Sequence, residues 1–154
     1  MNIRKLDIRT LTPLQFEQIV AIEETCGLEP YSREMLQECI EYLDTYACLD
    51  GDSVAGFITI QASSRRLGGG LYIVNLNVAK PYRRQGLAKK LIITGCGFYA
   101  ESHKGSFVIL DVAKDNTAAW HLYKKLGFDL TDIPSRNGDT DVVMVAGLEQ
   151  LLGK

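Results

Sequence analysis

Apolar and polar positions change period repeatedly along the chain, and each change marks an element. Residues 2–8 read as a first strand. Thr12-Pro13-Leu14-Gln15 has the pattern of a capping box with Pro at the first helical position, and Phe16, Ile19 and Val20 continue an apolar helix face. Pro30-Tyr31-Ser32 breaks the chain. Ser32 then caps a second helix carrying Leu36, Cys39, Ile40 and Leu43. Residues 46–49 and 54–61 are strands joined by the hairpin turn Asp50-Gly51-Asp52. Residues 63–70 form a polar, Gly-rich loop, and 71–78 a central strand. Helical periodicity resumes at Arg83. A buried strand follows over 107–113, with a turn at Lys114-Asp115. Asn116 caps a helix with Ala119, Leu122, Tyr123 and Leu126 on one face and Gly127 at its end. Phe128 opens another apolar stretch, and 141–146 is the last strand. Hairpins mix with strand-to-helix crossovers. The pattern predicts a mixed α/β fold and one continuous domain over 1–154, with no repeat, linker or low-complexity segment.

The segment from Val74 to Leu91 carries the most chemistry. A strand ends at Val78, a Pro-containing turn follows, and Arg83-Arg84-Gln85-Gly86-Leu87-Ala88 opens a helix. The first turn of a helix has free N–H groups at the positive end of its dipole, so it binds phosphate. Gly86 and Ala88 keep side chains away from an approaching anion, and Arg83 and Arg84 add positive charge. No G-x-x-x-x-G-K-[ST] is present, and Gly68-Gly69-Gly70 opens no G-x-G-x-x-G. By this pattern alone a solvated basic loop capping an ordinary helix is an equal reading.

Two blocks in order decide for a ligand loop. Arg83-Arg-Gln-Gly-Leu-Ala88, followed by Asn116-Thr-Ala-Ala-Trp-His-Leu-Tyr-Lys-Lys-Leu-Gly-Phe128, resembles the GNAT superfamily of acyl-CoA-dependent N-acetyltransferases. The resemblance covers roughly residues 46–145. It implies a mostly antiparallel central sheet flanked by helices and acetyl-CoA as the acyl donor. It also implies cofactor contacts from Leu76, Asn77 and Val78 on the central strand, from Arg83, Arg84, Gln85, Gly86, Leu87 and Ala88, and from Asn116 and Tyr123. A backbone N–H near Leu76-Asn77-Val78 would help hold the thioester oxygen. Tyr123 is the implied general acid at the thioester sulfur, and otherwise a core tyrosine. Many relatives carry a glutamate base near Val74 or Asn75, which here are apolar and amide. Asp111 stands where some peptide-acetylating relatives have an acid. It either takes the amine proton or bonds only to its neighbours.

Pro30-Tyr31-Ser32 resembles the turn beside the peptide entrance of ribosomal-protein N-terminal acetyltransferases. Tyr31 and Asn75 are therefore expected on the acceptor side. Glu23 and Glu24 are further candidates to bind a cationic amine, or are a solvated helix end. The acceptor is a primary amine, with a peptide or protein α-amine favoured. A polyamine, amino acid or antibiotic amine remains open, as does a non-catalytic acyl-CoA-binding module.

Composition narrows the classes. The 154 residues suit one domain with a sizeable core, and a net charge of -2 gives no reason to expect nucleic-acid affinity. No apolar run reaches membrane-spanning length, and the first residues do not read as a signal peptide. Cys26, Cys39, Cys48 and Cys96 show no C-x-x-C spacing, and His103 and His121 stand apart. Free thiols, no metal and a cytoplasmic monomer or homodimer are the expectations.

Overall fold

The computed structural model describes residues 1–26, 29–63 and 69–153. In chain order the elements are β1 (Asn2–Lys5), α1 (Pro13–Glu24), α2 (Arg33–Tyr42), β2 (Asp44–Asp50), β3 (Ser53–Ala62), β4 (Gly70–Val78), α3 (Leu87–Ser102), β5 (Phe107–Ala113), α4 (Thr117–Leu126), β6 (Asp129–Leu130), β7 (Asp141–Gly147) and α5 (Leu148–Leu151). The strands follow the order β1-β2-β3-β4-β5-β7-β6, and β4 and β5 run parallel. The β1/β2, β2/β3, β5/β7 and β6/β7 pairs are antiparallel, so the mostly antiparallel sheet inferred from the resemblance is present. The chain groups into two compact units, 1–60 with 74–95, and 61–73 with 96–154.

In the first unit, Leu6, Ile19, Val20, Ile22, Leu36, Ile40, Ala47, Leu49, Val54 and Phe57 form the core. Both helices begin as their caps dictate. Thr12 Oγ1 accepts the Gln15 N–H at 3.1 Å while Gln15 Oε1 accepts the Thr12 N–H at 3.1 Å. Ser32 Oγ accepts the Met35 N–H at 3.2 Å. A Cβ on Gly56 would lie 2.9 Å from the Asn77 carbonyl oxygen and 3.1 Å from Leu91 Cδ1. The missing side chain thus lets β3 approach both the end of β4 and α3. β1 is shorter than the strand expected over 2–8. Asp7 Oδ1 accepts the Arg9 N–H at 2.9 Å, and that local turn ends the strand.

In the second unit, Val108, Leu110 and Val112 of β5, Met144 and Ala146 of β7, and Leu148 and Leu151 of α5 are buried, as is Phe128. Asn116 Oδ1 caps α4 by accepting the Ala119 N–H at 3.2 Å, and Gly127 ends it at φ 100°. β5 and α4 lead into β6, and β5 pairs with β7. β5 and β6 both run antiparallel to β7, which lies between them, so the second crossover, unlike the first, joins parallel strands that are not neighbours. Most of the loop expected over 63–70 lies outside the described residues.

Candidate active site

The first unit holds the anion loop. After β4, a single 3-10 turn, Lys80–Tyr82, precedes α3. The helix starts at Leu87, four residues later than the periodicity at Arg83 suggested. The reason is conformational: Arg84 has φ 64° and Gly86 φ 77°, which a right-handed helix cannot include. Left-handed residues in a turn re-aim successive N–H groups and build an anion-binding concavity. A non-glycine residue held there is strained, a feature that clusters at ligand sites. Lys90 N–H makes the first helical bond, to Gly86 O, so the preceding N–H groups lie outside the helical ladder. Among the described residues none from Arg84 to Ala88 has an acceptor. Arg83, Arg84, Gln85 and Gly86 are exposed, Leu87 is buried and Ala88 half-buried. A Cβ at Gly86 would meet nothing within 4 Å, so the space over the loop is open. This cradle fits a pyrophosphate.

Arg83 does different work from the free cation expected of it. Its Nε donates to Val78 O at 3.0 Å and its Nη2 to Thr25 Oγ1 at 2.9 Å. It therefore ties the loop to the end of β4 and to the C-terminus of α1. Arg84 makes no such bond among the described residues and is the arginine left for an anion.

Beside β4, the candidate acid is Glu23, and Glu24 is on the surface. Glu24 is exposed, whereas Glu23 is only 2% exposed and accepts from Tyr31 N–H (2.9 Å), Asn75 Nδ2 (2.7 Å), Asn77 Nδ2 (2.8 Å) and the Cys26 thiol (3.5 Å). Burial, with the adjacent Glu23 charge, pushes the Cys26 thiol up to about 11. Tyr31 packs against the apolar core and donates its hydroxyl to Val74 O at 3.3 Å, so the Pro30-Tyr31-Ser32 turn is held on β4. Tyr31, Asn75 and Asn77 come together here. Leu76 lies between the asparagines on the opposite strand face, because side chains alternate. The Glu23 network escaped sequence reading, although an acidic pair ending a helix before a Pro turn is the signal that could have raised it.

In the second unit Tyr123 lies on α4, its ring 5.7 Å from that of Phe128 and tilted by 60°. Burial alone pushes its phenol up to about 12, with no hydrogen bond contributing. Asn116 caps α4 through Oδ1, which leaves Nδ2 to donate. Trp120, on the same helix, has a buried indole N–H without an acceptor among the described residues. Asp111 is half-buried and accepts from Ser135 Oγ at 2.7 Å, and Ser135 Oγ accepts the Asn137 N–H at 3.1 Å. Arg136 stacks over the Tyr72 ring at 4.4 Å. Asp111 therefore already has a structural use, fastening the 131–140 loop to β5.

The first unit thus offers a cradle for a phosphate after β4, and the second carries a phenol held protonated on α4. The Acetyltransferase (GNAT) family profile matches residues 16–128, and the chain belongs to that family. The N-terminal acetyltransferase A complex catalytic subunit ard1 of Schizosaccharomyces pombe is 29% identical over 141 residues, covering 88% of this chain and 77% of the relative. The crystal structure of the NatC complex bound to Gag peptide and CoA contains a chain with TM-score 0.77 and 26% identity, matching 96% of this chain and 98% of that one. The ribosomal-protein-S18-alanine N-acetyltransferase of Escherichia coli shares the fold, with TM-score 0.73, 21% identity, and 96% and 93% coverage. The protein is an acetyl-CoA-dependent N-acetyltransferase.

Proposed function

We propose that the acceptor is the α-amine of a peptide or protein, that residues 1–154 act as one catalytic domain, and that the protein works in the cytoplasm. The observation that carries the acceptor reading is the Pro30-Tyr31-Ser32 turn, held on β4 through Tyr31 N–H to Glu23 and Tyr31 Oη to Val74 O. A rigid turn of this kind suits an entrance for an extended chain. The relatives acting on protein N-termini support it.

Acid–base chemistry favours the same acceptor. β4 has Val74 and Asn75 where a glutamate base would stand. An α-amine, with pKa near 8 against about 10.4 for lysine, has roughly a 250-fold larger neutral fraction at pH 7. It reaches the site ready to attack with only a weak base, or water, to receive its proton. Asp111 is the candidate base if its bond to Ser135 leaves one oxygen for the amine.

The remaining roles rest on the resemblance to the family. The N–H groups of residues 84–88 and the Arg84 side chain hold the pyrophosphate. Backbone groups of Leu76, Asn77 and Val78 pair with the donor's amide arm and polarise the acyl oxygen. The resemblance makes Asn116 a further cofactor contact, with Nδ2 left to donate because Oδ1 caps α4. Acetyl-CoA supplies an activated thioester, and Tyr123 donates a hydrogen bond to its sulfur as charge develops there.

The acceptor reading is tested by competition. One peptide has a free N-terminus, and the other is N-terminally blocked but carries lysine; spermidine is a third acceptor. Mass spectrometry locates the acetyl group. Acetylation of the free α-amine first is expected, and preferred acetylation of lysine or spermidine overturns the reading.

A further inference from the structure

Glu23 and the two asparagines of β4 carry an inference about how the acceptor amine is held. Oε2 of Glu23 accepts from Tyr31 N–H (2.9 Å) and the Cys26 thiol (3.5 Å), and Oε1 from Asn75 Nδ2 (2.7 Å) and Asn77 Nδ2 (2.8 Å). An ionised carboxylate has about four lone-pair positions. All are filled here, in a side chain only 2% exposed. Glu23 cannot take an amine proton without releasing one of these donors. It acts as an orienter.

What it orients follows from donor and acceptor inventory. A carboxylate only accepts, so both asparagines must turn their NH₂ groups toward it. The same Asn77 Nδ2 also donates to Asn75 Oδ1 at 2.9 Å. Both Asn77 donors are thereby used, and its Oδ1 is turned away from Glu23. Among the described residues no donor reaches that oxygen. Asn77 is half-buried, on the stretch of β4 assigned to the acyl group. The buried Glu23 carboxylate thus fixes the Asn77 carbonyl oxygen in one orientation, turned away from it.

We propose that Asn77 Oδ1 accepts a hydrogen bond from the acceptor amine N–H, and that Glu23 is the positioning residue that keeps it facing the amine. A neutral carbonyl oxygen binds an uncharged amine through one N–H and leaves the nitrogen lone pair for attack. It orients the amine for attack without itself accepting the proton. This deepens the α-amine reading and rests on it for the choice of probe.

The experiment compares wild type, Asn77→Ala, Glu23→Gln and the double variant, with steady-state KM measured separately for acetyl-CoA and for a peptide with a free N-terminus. Losing one such bond predicts roughly a ten-fold drop in kcat/KM for the peptide, with the KM for acetyl-CoA changed by less than about two-fold. Glu23→Gln should act in the same direction, yet add little in the Asn77→Ala background, because it works through Asn77. A raised KM for acetyl-CoA with peptide kinetics unchanged in Asn77→Ala overturns the proposal, since the oxygen then serves the donor. Equal losses from Glu23→Gln in both backgrounds overturn the positioning role. If Glu23→Gln does not fold, the two KM values of Asn77→Ala decide. Should wild type acetylate the lysine of the blocked peptide instead, the α-amine reading falls, and the same kinetics on that peptide decide the Asn77 contact separately.

Discussion

Replacing Tyr123 by Phe isolates one hydroxyl. The ring contact with Phe128, 5.7 Å between centroids, survives the change. Burial pushes the phenol up to about 12. A departing thiol with pKa near 8.5 is a far weaker base than that phenolate. Full proton transfer from Tyr123 to the thiolate would be uphill by roughly 3.5 units, or about 5 kcal/mol. Tyr123 therefore stabilises the thiolate by a charge-assisted hydrogen bond, worth about 1.5–3 kcal/mol, and the net proton comes from the amine. Tyr123→Phe should lower kcat by roughly 10- to 150-fold, with acetyl-CoA affinity and Tm nearly unchanged. The pH profile adds a second check. A folded-state pKa above the unfolded value keeps the donor protonated, so kcat/KM should rise with acceptor deprotonation and show no descending limb from Tyr123 below about pH 11. Stopped-flow acetyl transfer, with chemistry shown to be rate-limiting, is the assay. Wild-type kcat in Tyr123→Phe, or a descending limb near pH 9 that the substitution abolishes, would refute this reasoning.

The phosphate cradle, the β3–β4 approach and Asp111 each give a further test. Gly86→Val has open space for its side chain but is strained at φ 77° and covers the loop N–H groups. Calorimetric titration should show acetyl-CoA affinity down at least about ten-fold in a folded variant, because a bulky side chain blocks backbone approach. Gly56→Ala pushes a methyl to 2.9 Å from Asn77 O. It should cost about 1–3 kcal/mol, read as a lowered urea midpoint. Asp111→Asn and Ser135→Ala separate two roles for that carboxylate. A base predicts that only the Asp111 change lowers kcat, by roughly 100-fold or more, whereas a loop fastener predicts that both variants act alike.

Much of the fold was legible because local signals agreed with it. Thr12, Ser32 and Asn116 cap the helices they were expected to cap, and β5 spans residues 107–113 as the apolar run indicated. These are short-range effects of side-chain oxygens, Pro and periodicity, which one sequence displays. The errors have long-range or conformational causes. α3 starts late because Arg84 and Gly86 take positive φ, and Arg84 carries no sequence mark of that conformation. β1 ends early because Asp7 turns the chain through a bond to Arg9.

The site was legible by motif and obscure by geometry. The loop over 83–88, Asn116 and Tyr123 were singled out by their resemblance to the family's two motif blocks. The internal use of Arg83 did not, because its partners Val78 O and Thr25 Oγ1 are brought there by tertiary packing. The choice between Glu23 and Glu24 is similar. Adjacent residues on a helix face different directions, and only the packing of α1 shows which is buried against Asn75 and Asn77.

The most direct test of the account follows thiol release from acetyl-CoA alongside acetyl incorporation into a peptide with a free N-terminus. The account predicts one thiol released per acetyl group found on the α-amine, at a rate that falls in Tyr123→Phe and Gly86→Val. Thiol release at the buffer rate, across the free peptide, the blocked lysine peptide and spermidine, would contradict it.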